Sequence, residues 1–314
     1  MIAELLSTEF LQLSLVPLLV GTLACIACAL PGNFLVLRRQ SLIGDAVSHV
    51  VLPGIVAAFL VTGTVAAAPM LVGAAGAAIV AVVLIEFVRR VGRIEPGAAM
   101  GVVFTTMFAA GVLLLEQSDT SGVHLDVEHA LYGNLESLVW FAAEGWHSLL
   151  DPVALADLPP ALPRLAVVTL GIGLFTLVAW KELVLSTFDP GFAESVGARP
   201  GLAGFALVIV VAVAAVAAFD AVGSIIVIAM FICPPAAARL MTDRLCPQIA
   251  WSIGFAVVSG VAGYVLAGYG PLWFGFDASV SAAGMIATVA GLLLGVACLA
   301  GPRRRGARSG SAAA

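Results

Sequence analysis

The chain has 314 residues, of which 61% are hydrophobic and only 11% charged, with a formal net charge of −5. A soluble domain needs roughly a quarter charged residues to cover its surface, so this composition excludes a water-soluble globular protein. Long apolar runs in place of short alternating segments also exclude a transmembrane barrel, which leaves an all-α, polytopic membrane protein.

A span takes roughly 20 apolar residues. Runs of that kind fall near 13–37, 41–63, 66–88, 97–116, 163–185, 201–218, 220–238, 248–268 and 278–300. They predict about nine transmembrane helices, within a range of eight to ten, in one domain over residues 1–302, with a basic tail at 303–314. The opening MIAELLSTEF lacks the basic region of a secretory signal, so the first span is expected to serve as the insertion signal. Arg38 and Arg39, then Arg89, Arg90 and Arg93, then Lys181 and Arg199, then Arg239 and Arg244 mark four inner loops. Arg303, Arg304, Arg305 and Arg308 mark an inner tail. The positive-inside rule then puts the N-terminus outside and the C-terminus inside. Cys25, Cys28, Cys233, Cys246 and Cys298 lie in or beside apolar runs and read as small buried side chains.

In the second run, SLIGDAVSHVVLPGI, Asp45 and His49 are four residues apart and share one helix face. Counted from Arg39, they lie roughly 9 and 15 Å into the membrane. Ionisable groups at that depth face a bundle interior or a cavity. A carboxylate with an imidazole suits Mn, Fe or Zn. An internal Asp–His packing bond and a proton relay are the competing readings, and the residues alone divide evenly between these and a metal site. Pro53 and Gly54 loosen the same helix.

The stretch 117–162 is the longest interruption. It is acidic, holds His124, His129 and His147, and includes Trp140 and Trp146. It reads as an outer segment with an interfacial amphipathic helix, since Trp favours the headgroup level, or else as a tenth span. His124, Asp126, Glu128 and His129 read as solvated loop residues before cation ligands. Asp220 opens the seventh run at its outer end, where a helix cap or interfacial residue competes with a gate at the mouth of a path. In 186–200, Asp189-Pro190 reads as a helix start and Gly197 with Pro200 as a stop, predicting a short helix across an inner loop.

No GxxxxGK[ST] occurs, so ATP has no P-loop here. HExxH and GxSxG are absent as well. Ser48 projects about 100° away from His49 on a helix, which argues against an intramembrane hydrolase.

Four stretches together resemble the permease subunits of the metal-ion ABC-3 family, the manganese, zinc and iron importers. They are LRRQSLIGDAVSHVVLPGI at 37–55, LYGNLE at 131–136, FDPGFAESVGARP at 188–200 and FDAVGSIIVIAMFICPPAAARLMTDRL at 219–245. With the apolar runs between them they cover nearly the whole chain. The resemblance implies a non-enzymatic transport subunit, with Mn2+ favoured over Zn2+ or Fe2+ as cargo and no permanently bound cofactor. It implies a second permease copy or paralogue, cytoplasmic ABC ATPases and an extracytoplasmic metal-binding protein, with no nucleic acid. It places Asp45 and His49 on the metal path. It makes about 188–199 the coupling helix, with Phe188, Asp189, Pro190, Ala193, Glu194 and Gly197 facing or shaping the ATPase contact. A proton-coupled carrier using Asp45 and His49 as a relay is the alternative, opposed by the coupling stretch and by weak internal symmetry.

Overall fold

The computed structural model describes residues 8–63, 67–117, 133, 135–273, 275 and 280–302, with positions 45 and 220 among those described as backbone only. His124, Asp126, Glu128 and His129, then Leu131, Tyr132 and Asn134 of LYGNLE, and the tail at 303–314 lie outside the described residues. The described part is largely helical and holds no strand; its main helices are α1 Thr8–Leu37, α2 Leu42–Thr62, α3 Ala67–Gly92, α4 Pro96–Gln117, α5 Ala161–Val178, α6 Trp180–Phe188, α7 Pro190–Ser195, α8 Pro200–Met241, α9 Leu245–Trp273 and α10 Ala282–Ala300.

Among the described residues, eight stretches are long and apolar enough to cross a membrane, two of them within α8. At 21 residues, α2 is about 31 Å long, the thickness of the hydrocarbon core. The count agrees with the sequence expectation. The run expected at 163–185 is interrupted at Ala179 and continues to Phe188.

The α8 segment is a hairpin of two arms. Gly204 lies beside the Arg38 guanidinium, while Pro235 lies against Gly32 of the same helix end. Residues 204 and 235 of one straight helix would be about 46 Å apart. The chain reverses at Gly223, whose φ of 74° and ψ of 173° fall in a region essentially reserved for glycine. Gly133 seats its backbone directly on Val222 and Gly223, leaving no room for a Cβ. The expectation that Asp220 caps a helix start is therefore corrected. Its backbone is helical and belongs to the C-terminal end of the first arm, just ahead of the reversal.

Close approach is what lets these apolar helices hold together, since lipid removes the hydrophobic drive between them. Gly32 of α1 rests on the Phe231 carbonyl, and Gly54 of α2 meets Gly73 of α3 backbone to backbone. The main core gathers α1, α5, the α8 arms and α10 around Phe34, Leu165, Ile226, Phe231 and Ile286. A smaller cluster of Val50, Ala81 and Val103 joins α2, α3 and α4. α2 thus sits between two apolar centres.

Residues 135–160 close the end opposite the 38–41 turn. In place of a long amphipathic helix, the described residues there form short 3-10 helices at Leu135–Ser137 and Trp146–Leu150 and a five-residue α-helix at Pro152–Ala156. Trp140 is fully buried rather than at the headgroups. Its indole N–H donates to Ala154 O at 2.8 Å and its backbone N–H to Gln12 O at 2.8 Å. An internal partner for the N–H lets a Trp leave the interface. Glu136 accepts from the Ala282 N–H at 2.9 Å, placing a carboxylate at the positive end of α10.

Candidate functional site

The 38–41 turn feeds α2, and three small-residue contacts fix the helix's rotation. Gly44 abuts the Phe231 ring, Gly54 meets Gly73, and Pro53 packs on Gly111 of α4. On that rotation His49 faces α4. Its half-buried ring stacks on Phe104 with centroids 5.6 Å apart and meets Phe108 edge-on at 5.8 Å. Position 45 lies about 100° round the helix from Gly44 and about 40° from His49. It therefore falls in register between the Phe231 side and the α4 side.

Asp220 belongs to a different level. Counting from the common end at Arg38 and Gly204, it stands about 14 Å beyond Asp45 and about 8 Å beyond His49 along the bundle. Among the described residues no three His, Cys, Asp or Glu side chains come together to hold a metal. The Phe104–Phe108 wall was not anticipated. Its only signal in the sequence was an aromatic pair four residues apart in FTTMF.

At the closed end, a cavity of about 600 Å³ is lined by Glu144, His147, Asp151 and Asp157 beside Ser148 and Ala142. Three of its lining residues, Glu144, Asp151 and Asp157, are acidic.

The predicted short helix is present as α7, and its ends are made as expected. Asp189 accepts from the Phe192 N–H at 2.9 Å and Pro190 follows it at the first helical position, a start that satisfies an otherwise orphaned donor. Gly197 at φ 81° closes it. Ala198 N–H bonds to Ala193 O at 2.9 Å and Gly197 N–H to Glu194 O at 3.0 Å, the paired bonds of a Schellman stop. Ala193 is fully buried and seats the helix, whereas Glu194 is exposed. Phe188, Phe192 and Val196 are each more than half exposed. Phe192 and Val196, spaced by four, form an apolar ridge on α7 beyond the spans, and Phe188 ends α6 ahead of the break at Asp189. Phe192 and Val196 were missing from the sequence-level set, although the spacing was readable.

The family model for the ABC 3 transport family matches residues 8–139 and 160–300. The manganese transport system membrane protein MntD of Bacillus subtilis is 36% identical over 282 residues, covering 90% of each chain. The zinc transport system membrane protein TroD of Treponema pallidum is 36% identical over 290 residues, covering 91% of this chain and 73% of that one. A probable iron transport system membrane protein of Haemophilus influenzae is 31% identical and covers 89% of this chain and 90% of its own. The structure of PsaBC from Streptococcus pneumoniae in complex with Fab superposes with a TM-score of 0.72 at 24% identity, covering 97% of this chain and 98% of that one. This last likeness speaks to the fold.

Proposed function

This chain belongs to the ABC 3 transport family, and from that membership we propose that it is the membrane-spanning subunit of an ATP-driven importer of divalent metal ions, Mn2+ ahead of Zn2+ and Fe2+. It is a multi-pass cell-membrane protein. The observation that carries the reading is the pairing of positions 45 and 49 one turn apart on α2, at membrane depth, between two apolar centres. Relatives named for manganese, zinc and iron support a transition-metal cargo. The FDAVGS and CPPAAARL wording looks closest to the manganese/iron-type branch.

In this reading the end bearing residues 38–41 and 189–199 faces the cytoplasm, as the Lys and Arg distribution requires. An extracytoplasmic binding protein delivers the ion at the acidic closed end. Asp45 and His49 hold it in transit, and hold it weakly, since a full tight shell would trap it. The apolar ridge on α7 docks into an ABC ATPase, two of which act on a pair of permeases. ATP-driven closure of the ATPases shifts α7 and opens the inner side. Asp220 gates the mouth of the path above the pair.

The test is metal uptake in cells lacking their own importer, with the chain, its ATPase and its binding protein co-expressed. Asp45→Ala and His49→Ala are expected to reach the membrane at normal levels and lose uptake by a factor of ten or more. Normal uptake by both variants removes the pair from the metal path. Uptake without the ATPase replaces the ABC reading with a proton-coupled carrier.

A further inference from the structure

Arg38 stands at the turn that leads into α2 and bonds to the end of α6, which runs on into α7. It terminates α1, its backbone N–H bonding to Phe34 O at 2.9 Å, and the chain then turns through Arg39 at φ 57° into α2. The half-buried guanidinium reaches across to α6. Its Nε donates to Thr187 Oγ1 at 3.0 Å and its Nη2 to Ser186 Oγ at 2.8 Å.

A guanidinium has donors only, so both hydroxyls must accept through their lone pairs. Their protons go to their own helix, Ser186 to Glu182 O and Thr187 to Leu183 O. All the donors and acceptors in this fork therefore have settled directions. Ser186 is buried, and Gly204 at the start of α8 flanks the guanidinium where a Cβ would crowd it. Burial lowers the Arg38 pKa from its ordinary value, yet a guanidinium stays charged in proteins.

The position in the chain gives these bonds their meaning. Ser186 and Thr187 immediately precede Phe188 and Asp189, the residue that caps α7. Arg38 immediately precedes the turn that starts α2 and its Asp45 and His49. We propose that Arg38 is the positioning residue that carries displacement of the coupling segment to the metal-path helix. The inference rests on the proposed roles of α7 and of the Asp45/His49 pair. If α6 moved and the 38–41 turn stayed, a partly desolvated cation would lose both acceptors, which is costly. The two therefore move together. A lysine, a point donor without the planar fork, cannot hold both hydroxyls in this geometry.

The test uses the whole complex, permease with its ATPase and binding protein, in proteoliposomes, with metal uptake and ATP hydrolysis read from the same vesicles. Ser186→Ala/Thr187→Val is expected to assemble normally and hydrolyse ATP within twofold of wild type, while metal moved per ATP falls at least tenfold. Arg38→Ala is expected to repeat that loss, Arg38→Lys to fall between, and the triple variant to be no worse than Arg38→Ala. A packing role alone lowers the amount of assembled complex and leaves the ratio unchanged. Should Arg38→Ala not assemble, the hydroxyl variant decides. A wild-type ratio in the hydroxyl variant overturns the proposal, and so do losses that multiply independently in the triple variant. Wild-type vesicles that move no metal refute the importer reading and this inference with it, before any variant is compared.

Discussion

Phe192 is the most informative single residue on the α7 ridge, because its removal costs docking and leaves the bundle untouched. A phenylalanine buries roughly 150–250 Å² when fully enclosed, and Phe192 is 53% exposed. About 100 Å² therefore remains for a partner to cover. At about 25 cal/mol per Å² that area is worth roughly 2.5 kcal/mol. Alanine retains the Cβ, so Phe192→Ala is expected to weaken ATPase binding by about 2 kcal/mol, or roughly 30-fold. The assay is titration of purified ATPase against the permease in nanodiscs, with thermal unfolding of the permease alone as control. Unfolding is expected to stay put, because the lost area was exposed already. ATPase affinity within twofold of wild type would refute the ridge as a docking surface. A large drop in permease stability would refute the exposure argument itself.

Three other perturbations test other links in the chain from sequence to fold. Gly223→Ala forces a side chain into backbone angles reserved for glycine and is expected to cost at least 1–3 kcal/mol, seen as a lower unfolding temperature in detergent. An unchanged temperature would mean that the α8 reversal is not held at that residue. Trp140→Phe keeps most of the ring but strands the Ala154 carbonyl, so a loss of about 1–3 kcal/mol is expected, without loss of ATPase binding at the opposite end. Cys246 is exposed at the start of α9. In a variant retaining Cys246 as its single cysteine, an impermeant maleimide is expected to label inside-out vesicles and not right-side-out spheroplasts. The reverse pattern overturns the orientation.

What the sequence disclosed was whatever depends on local chemistry. Apolar length set the spans, and Asp189, Pro190 and Gly197 set both ends of α7, because capping is decided within a few residues of the chain. The Asp45/His49 spacing was legible for the same reason, a helix being a fixed ruler. What stayed hidden depends on partners remote in sequence. The wall of rings around His49 comes from α4, some 55 residues further on, and the acceptors of Arg38 come from α6, nearly 150 residues away. Trp140 misled because an aromatic with one polar atom suits both a headgroup layer and a sealed interior. The choice between them turned on a carbonyl at Ala154 that no local pattern announces. The same distinction separates what a permease needs at its two working points. The ends of a docking helix are decided by caps within a few residues, so they are legible locally. A metal path of the kind proposed here would be assembled from several helices that can part again, so its further members would lie far apart in the chain.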